Sequence, residues 1–426
     1  MQCFNYLKYN FPCLPYPPCY NTPLAVSKRV TYLNLTNYIT QITAIMKIHT
    51  RLFIAIFSAV IILSSAAWKP VAKPHTVKKE TLPLNGRYLI AAVPGVRDYL
   101  GYGGHGLVFF DIDHGHKFVK RIAFKGLHPK TGLPSNVKGV GVSIPLHSIY
   151  VTTLETLERI DLITGKLIWE KPIEHGCDRL SVAPDGKTMY LPSLESHYWT
   201  VIDCETGNTI KVIDGFNGSH NTIYALSGQH VYLADLKNTM VKIADPKTNT
   251  VVGQVGPFAN FIRPFTVNGS ETKIFVNCNE LLGFEVGDLT TGKVIAHKVI
   301  EGWDKGPVRR HGCPSHGIGL TPDEKELWVC DGFNMRLHIF SGVEPYQQLT
   351  TIPVQDMPGW ITFTINGQYA YPSSGEVIDV KTRKILTLLR DEGNNTVECE
   401  KMLEVDFKDG KPVKAGDQFG LGRVMK

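Results

Sequence analysis

The chain has 426 residues, 43% hydrophobic and 20% charged, with a formal charge of +6. That is the composition of an ordinary soluble protein, and its length would allow two or three domains. The Lys and Arg residues are scattered rather than blocked, which excludes a nucleic-acid-binding stripe.

In chain order, residues 1–45 carry no periodic pattern and precede a second candidate start at Met46. They are expected to be an over-extended start or a disordered leader. Residues 46–67 resemble an export signal. Lys47, His49 and Arg51 supply a positive flank, Leu52–Leu63 is apolar, and Ser65-Ala66-Ala67 offers small residues for cleavage before Trp68. The apolar run is shorter than the roughly 20 residues a membrane helix needs, so a cleaved signal is favoured over an anchor. A secreted or periplasmic location follows, with no membrane association beyond the signal. Residues 68–85 form a linker.

From residue 86 one phrase returns seven times. An apolar strand is followed by a turn such as Pro184-Asp185-Gly186-Lys187, a strand with a central aromatic residue, a third strand, and an Asp-x-x-Thr turn. The last turn is the easiest to track. It occurs as Asp161-Leu162-Ile163-Thr164-Gly165-Lys166 and again from Asp203, Asp245, Asp288 and Asp379, the first four recurring every 42 or 43 residues. Asp caps such a turn through its side chain, and Gly tolerates the positive φ it needs. A period of about 40–45 residues with four short strands predicts β-propeller blades. Aligning the second-strand aromatics places Tyr150, Tyr190, Tyr232, Phe275, Trp328 and Tyr371 in register. Gly86–Ile90 matches a second strand, whereas Leu403–Lys411 matches an inner strand with its turn. The expected fold is therefore all-β: a single seven-bladed propeller over residues 86–426, with four antiparallel strands per blade. A C-terminal strand completes blade 1 and removes the free sheet edge.

Tyr150-Val151-Thr152-Thr153, the Ile160–Lys166 phrase and Val182–Tyr190 resemble the YVTN-type seven-bladed propellers. In repeat style they are similar to the propellers of cytochrome cd1 nitrite reductase and quinoprotein amine dehydrogenase. The resemblance covers roughly residues 85–411 and implies a fold, because such repeats serve surface-layer, binding and enzymatic proteins alike. Thr153 stands where the signature has Asn, and the chain has no Cys-x-x-Cys-His haem-attachment motif.

The residue just before each inner strand should face the mouth of the central channel. Those positions are Lys401, Lys138, Asp178, His220, Arg263, His316 and Gly359. An insertion over residues 302–314 adds Arg309, Arg310, His311 and Cys313 near the ring, a second over 126–137 adds His128, and Trp360 opens the inner strand of blade 7. Polar residues are the default at a wet channel mouth. Crowded cations, however, call for an anion, which makes a small anionic or peptide-like ligand the expected partner. His175, Cys177, His311, Cys313 and His316 provide imidazole and thiol groups suited to zinc or copper, although their spacing matches no standard site. The same residues also fit plain turns with buried thiols, or a Cys177–Cys313 disulfide. Cys204, Cys278 and Cys330 fall within strands and should be buried free thiols. Two other functions compete with ligand binding. One is an enzyme (a lactonase, lyase or oxidoreductase) that uses His220 and His316. The other is a protein-interaction scaffold. A monomer is expected.

Overall fold

A computed structural model describes residues 83–425. The leader, the export signal and most of the linker lie outside the described residues. Seven antiparallel sheets follow one another around a ring. Among the described residues the only helical element is a single 3-10 turn at Leu100–Tyr102. Among the described residues no helix is long and apolar enough to cross a membrane.

The repeated turn works as its residues require. Asp161 Oδ1 accepts hydrogen bonds from the amides of Ile163 and Thr164 and from the Thr164 hydroxyl. Asp203, Asp288 and Asp379 bind their own threonines in the same way. Gly165, Gly207 and Gly292 take the left-handed conformation with φ near 70°, and Asn249 and Arg383 adopt it in the two turns without glycine. Each turn joins the third strand of its blade to the outermost strand.

The second-strand aromatics hold neighbouring blades together. All six are buried. The Tyr150 hydroxyl donates to the Cys204 carbonyl of the next blade at 2.7 Å, Tyr190 to Asn249 Oδ1 at 2.6 Å, and Tyr232 to Glu271 Oε2 at 2.9 Å. Phe275 packs edge-on against Tyr346, and Trp328 against Phe363. The Tyr371 hydroxyl meets His116 Nε2 of blade 1 at 2.7 Å. A large aromatic body with a polar tip suits this position, because the ring fills the space between sheets while the hydroxyl satisfies a group beyond it.

Blade 1 is assembled from both ends of the described chain. Gly86–Val93 pairs with Gly106–Asp111 on one side and with Met402–Lys408 on the other, with Tyr88 opposite Val405. Blade 1 also departs from the four-strand expectation. Lys411–Ala415 adds a fifth strand inside Met402–Lys408. The chain then crosses the channel at the far ends of the inner strands. The Asp417 carbonyl accepts from Thr362 Oγ1 at 2.8 Å, the Gln418 carbonyl from Trp360 Nε1, and the Gly420 carbonyl from Thr266 Oγ1 at 2.7 Å and the Leu320 amide at 2.8 Å. Phe419 and Leu421 of the same segment are buried in the core. This segment stoppers the channel.

Three buried carboxylates secure the crossings between blades. Glu158 accepts from the Lys125 and Gly126 amides, Glu285 from the Ala259 amide and Glu376 from the Gln355 amide. Each fixes the loop that enters its blade, which satisfies backbone donors that water cannot reach.

Candidate functional site

The inner strands begin at one end of the ring: Val137–Ser143, Ser181–Val182, Ser219–Tyr224, Ile262–Val267, Ser315–Leu320, Ile361–Phe363 and Met402–Lys408. A cavity of about 470 Å³ lies there. Lys138, Asp178, His220, Arg263, His316 and Lys401 all line it, as does Trp360. Equivalent positions on successive blades must converge on the axis, which is why residues spread over most of the propeller meet in one place. The inserted loop contributes His311 and Gly312, and the other insertion contributes Asn136.

Two buried carboxylates organise the cations. Asp178 is 2% exposed, receives Lys138 Nζ at 3.4 Å and is bonded by His220 Nδ1. Burial alone would raise its carboxyl, but His220 and Lys138 outweigh that and hold it well below the usual carboxylate range. Glu400 receives Lys401 Nζ at 2.7 Å, Arg179 Nη2 at 3.4 Å and His311 Nδ1 at 3.4 Å, and is likewise kept ionised against the effect of burial. Burial lowers Lys401 to about 8 despite Glu400, and lowers Arg179 to about 10. The guanidinium of Arg179 lies 3.2 Å from the Trp360 ring centroid, a cation–π stack that floors the cavity.

The histidines fall into two environments. His220 has a carboxylate on Nδ1. His316 instead shares its Nδ1 with the Gly359 carbonyl at 2.8 Å, stacks on His311 at 4.7 Å and meets Trp360 edge-on. Burial pushes His316 well below its ordinary value, with His311 adding to the effect, and brings His311 down to about 4. A side chain at Gly359 would strike the His311 ring at 2.1 Å, so that glycine makes room for the imidazole.

The remaining expected residues are placed elsewhere. Neither Arg309 nor Arg310 lines the cavity. Arg309 lies over Phe333, and Arg310 pairs with Asp356 at 2.7 Å while reaching the Tyr102 hydroxyl at 3.2 Å. The charge of Arg310 is spent on fixing the loop, whereas Arg309 is exposed. His128 faces Glu155 at 3.9 Å, outside the cavity. Among the described residues no three His, Cys, Asp or Glu side chains gather as a metal-holding group. Of the five residues suited to zinc or copper, only His311 and His316 come together. The Cys313 thiol turns to the Ser315 carbonyl and the Cys177 thiol to the Thr153 carbonyl, both pushed up by burial, while His175 is more than half exposed. All six described cysteines are free and buried, so Cys177 and Cys313 form no disulfide.

Arg179, Glu400, Arg97, Glu195 and Lys237 complete the charged lining and were not anticipated from the sequence. Arg179 and Glu400 each adjoin a predicted ring residue, the one signal that pointed to them. In all, six Lys and Arg side chains face three carboxylates. Among the described residues Arg97, Lys237 and Arg263 have no carboxylate partner. Arg263 Nε is held only by Asn279 Oδ1 at 2.5 Å.

Fold and cavity together define a seven-bladed β-propeller with a basic, stoppered funnel. The sequence matches no known protein family and no curated protein. Among solved structures it is similar to the hydrazine synthase of Kuenenia stuttgartiensis, with a TM-score of 0.52 and 15% identity over 74% of this chain and 98% of that one. At that identity the likeness establishes the propeller alone.

Proposed function

We propose that this is an exported propeller that binds a small anionic ligand, a carboxylate or a peptide-like acid, in its funnel. Arg263 carries the reading. It is a partly buried guanidinium lining a cavity whose two buried carboxylates, Asp178 and Glu400, are already committed to other cations. Like charges gathered in a cleft attract a counter-ion, and a guanidinium grips a carboxylate through paired donors. Asp178 and Glu400 cannot serve Arg263 without abandoning Lys138, Lys401 or Arg179. Glu195, the third lining carboxylate, is exposed and pairs with none of the lining cations among the described residues, and the remaining excess of positive charge favours an anion from outside.

Calorimetric titration with small mono- and dicarboxylates tests this. Arg263→Ala should weaken binding by about 10- to 150-fold, since a charge-assisted hydrogen bond contributes about 1.5–3 kcal/mol. Its unfolding midpoint should be close to that of the wild type. Absence of binding to any small anion, or equal affinity in the variant, would count against the reading. Export rests on residues 46–67 and has its own test, given in the Discussion.

A further inference from the structure

We propose that His220 is a general base and that the funnel removes a proton from carbon in a bound 2-oxo acid. The inference rests on the anion-binding reading and adds a reaction to it.

The cavity lining narrows the chemistry. Among the described residues that line it there is no Ser, Thr, Cys or Tyr. Lys138 is tied to Asp178, and Lys401 is tied to Glu400 and the Gly95 carbonyl at 2.9 Å. The hydroxyl and thiol nucleophiles of acyl transfer are absent, and these two lysines are occupied. Lys237 lines the cavity unpaired, but His220 is the lining group held by a buried carboxylate on one nitrogen with the other left open, which favours acid–base chemistry by imidazole.

His220 has the arrangement that such chemistry needs. Asp178 is ionised and can only accept, so His220 Nδ1 carries the hydrogen between them. Nε2 is then left with its lone pair, and among the described residues it has no protein partner. A buried carboxylate behind an imidazole fixes the tautomer and stabilises the imidazolium formed when Nε2 takes a proton. His316 differs. Its Nδ1 faces a neutral carbonyl, its ring stacks on another imidazole, and no carboxylate stands on it. A proton arriving there would have no counter-charge in direct contact.

Arg263 stands one blade from His220, at the equivalent place on the ring. A 2-oxo acid held there by its carboxylate would present the neighbouring carbonyl to the same cationic rim. His220 Nε2 takes a proton from the carbon beside that carbonyl, and the C–H electron pair moves onto the carbonyl oxygen to form an enolate. The imidazolium rests against Asp178, and the enolate against Arg263. Both charges meet counter-charges already in place. Return of a proton from His220 to the carbon restores the substrate, so the cycle is balanced without a co-reactant and appears as hydrogen exchange with solvent.

The probe is pyruvate, which is small enough for the cavity. Its methyl protons are followed by proton NMR in D2O with the full protein, and its binding is measured separately by displacement of oxalate. Wild type should accelerate methyl exchange in a saturable manner. His220→Asn and His220→Gln should lose at least 100-fold while still binding oxalate, and Asp178→Asn should lose at least tenfold. His316→Asn should lose less than His220→Asn. His197 is the control, because its Nδ1 also meets a carboxylate, Asp214 at 2.7 Å, but on the outer surface. His197→Asn should exchange at the wild-type rate. Oxalate and pyruvate binding without accelerated exchange would overturn the base assignment alone, as would wild-type exchange in both His220 variants. Failure of either anion to bind would overturn the anion-binding reading and this inference with it.

Discussion

Acid should weaken this propeller in a defined window, and His116 is the residue on which to measure it. The side chain is 5% exposed, bonds Tyr371 through Nε2, and packs edge-on against Tyr369 at 4.8 Å. Burial, reinforced by Arg87, lowers it from 6.5 to about 4, with Asp111 and Asp113 opposing. A histidine lowered by folding takes up its proton more readily in the unfolded chain. Stability is therefore full above pH 6.5, falls between about 6.5 and 4, and loses the whole contribution below that. At about 1.4 kcal/mol per pH unit the loss is roughly 3 kcal/mol. His116→Asn suits the test because His116 sits at φ 58° and Asn tolerates that left-handed conformation. At pH 7.5 the variant should be less stable by about 1–3 kcal/mol, because the Tyr371 hydroxyl is left without its partner. Urea unfolding at steps down to pH 4 should show that gap shrink or reverse as the wild type loses what the variant never had. His311 titrates in both proteins and cancels. A gap that stays constant across the window would refute the reasoning.

Three further outcomes are expected. Gly359→Ala should cost about 1–3 kcal/mol in urea unfolding, as overpacking typically does, and should change affinity for small carboxylates by displacing the His311 ring. Ending the chain before Met402 should abolish soluble, folded protein, whereas ending it after Ala415 should leave a closed ring whose tryptophan fluorescence shifts to the red as Trp360 loses the Gln418 carbonyl. If the protein is exported through residues 46–67, N-terminal sequencing of secreted or periplasmic material should begin near Ala67 or Trp68, and recovery of peptides from residues 1–45 would contradict that.

The fold was legible because a period near 42 residues leaves few architectures open, and because the Asp-x-x-Thr turn serves a fixed geometric purpose. The ring of Lys138, Asp178, His220, Arg263, His316 and Lys401 was legible for a related reason, since equivalent blades must bring equivalent positions together. Arg179 and Glu400 were not. Alternation along an extended strand would turn the neighbours of Asp178 and Lys401 away from the cavity. Both pairs, however, precede the regular ladder, where successive side chains need not alternate. Arg309 and Arg310 misled because their charge was visible, while Asp356, far along the chain, was not recognisable as the partner of Arg310. The channel stopper left no pattern, since much of its bonding uses the carbonyls of Asp417, Gln418 and Gly420, which any residue possesses. The buried acids Glu158, Glu285 and Glu376 were hidden because their task is to satisfy loop amides.

The pairing of Gly86–Val93 with Met402–Lys408 has a consequence for biosynthesis. The first strand of the ring emerges from the ribosome without its inner neighbour and must wait for six intervening blades. At ordinary translation rates that delay is roughly tens of seconds. Throughout it the nascent protein exposes a bare edge rich in apolar residues, Leu89, Ile90, Ala91 and Ala92, an invitation to pair with another chain. A chaperone that shields this segment, or a translocation machinery that keeps the whole chain unfolded until it is released, would let the ring close on itself rather than on its neighbour.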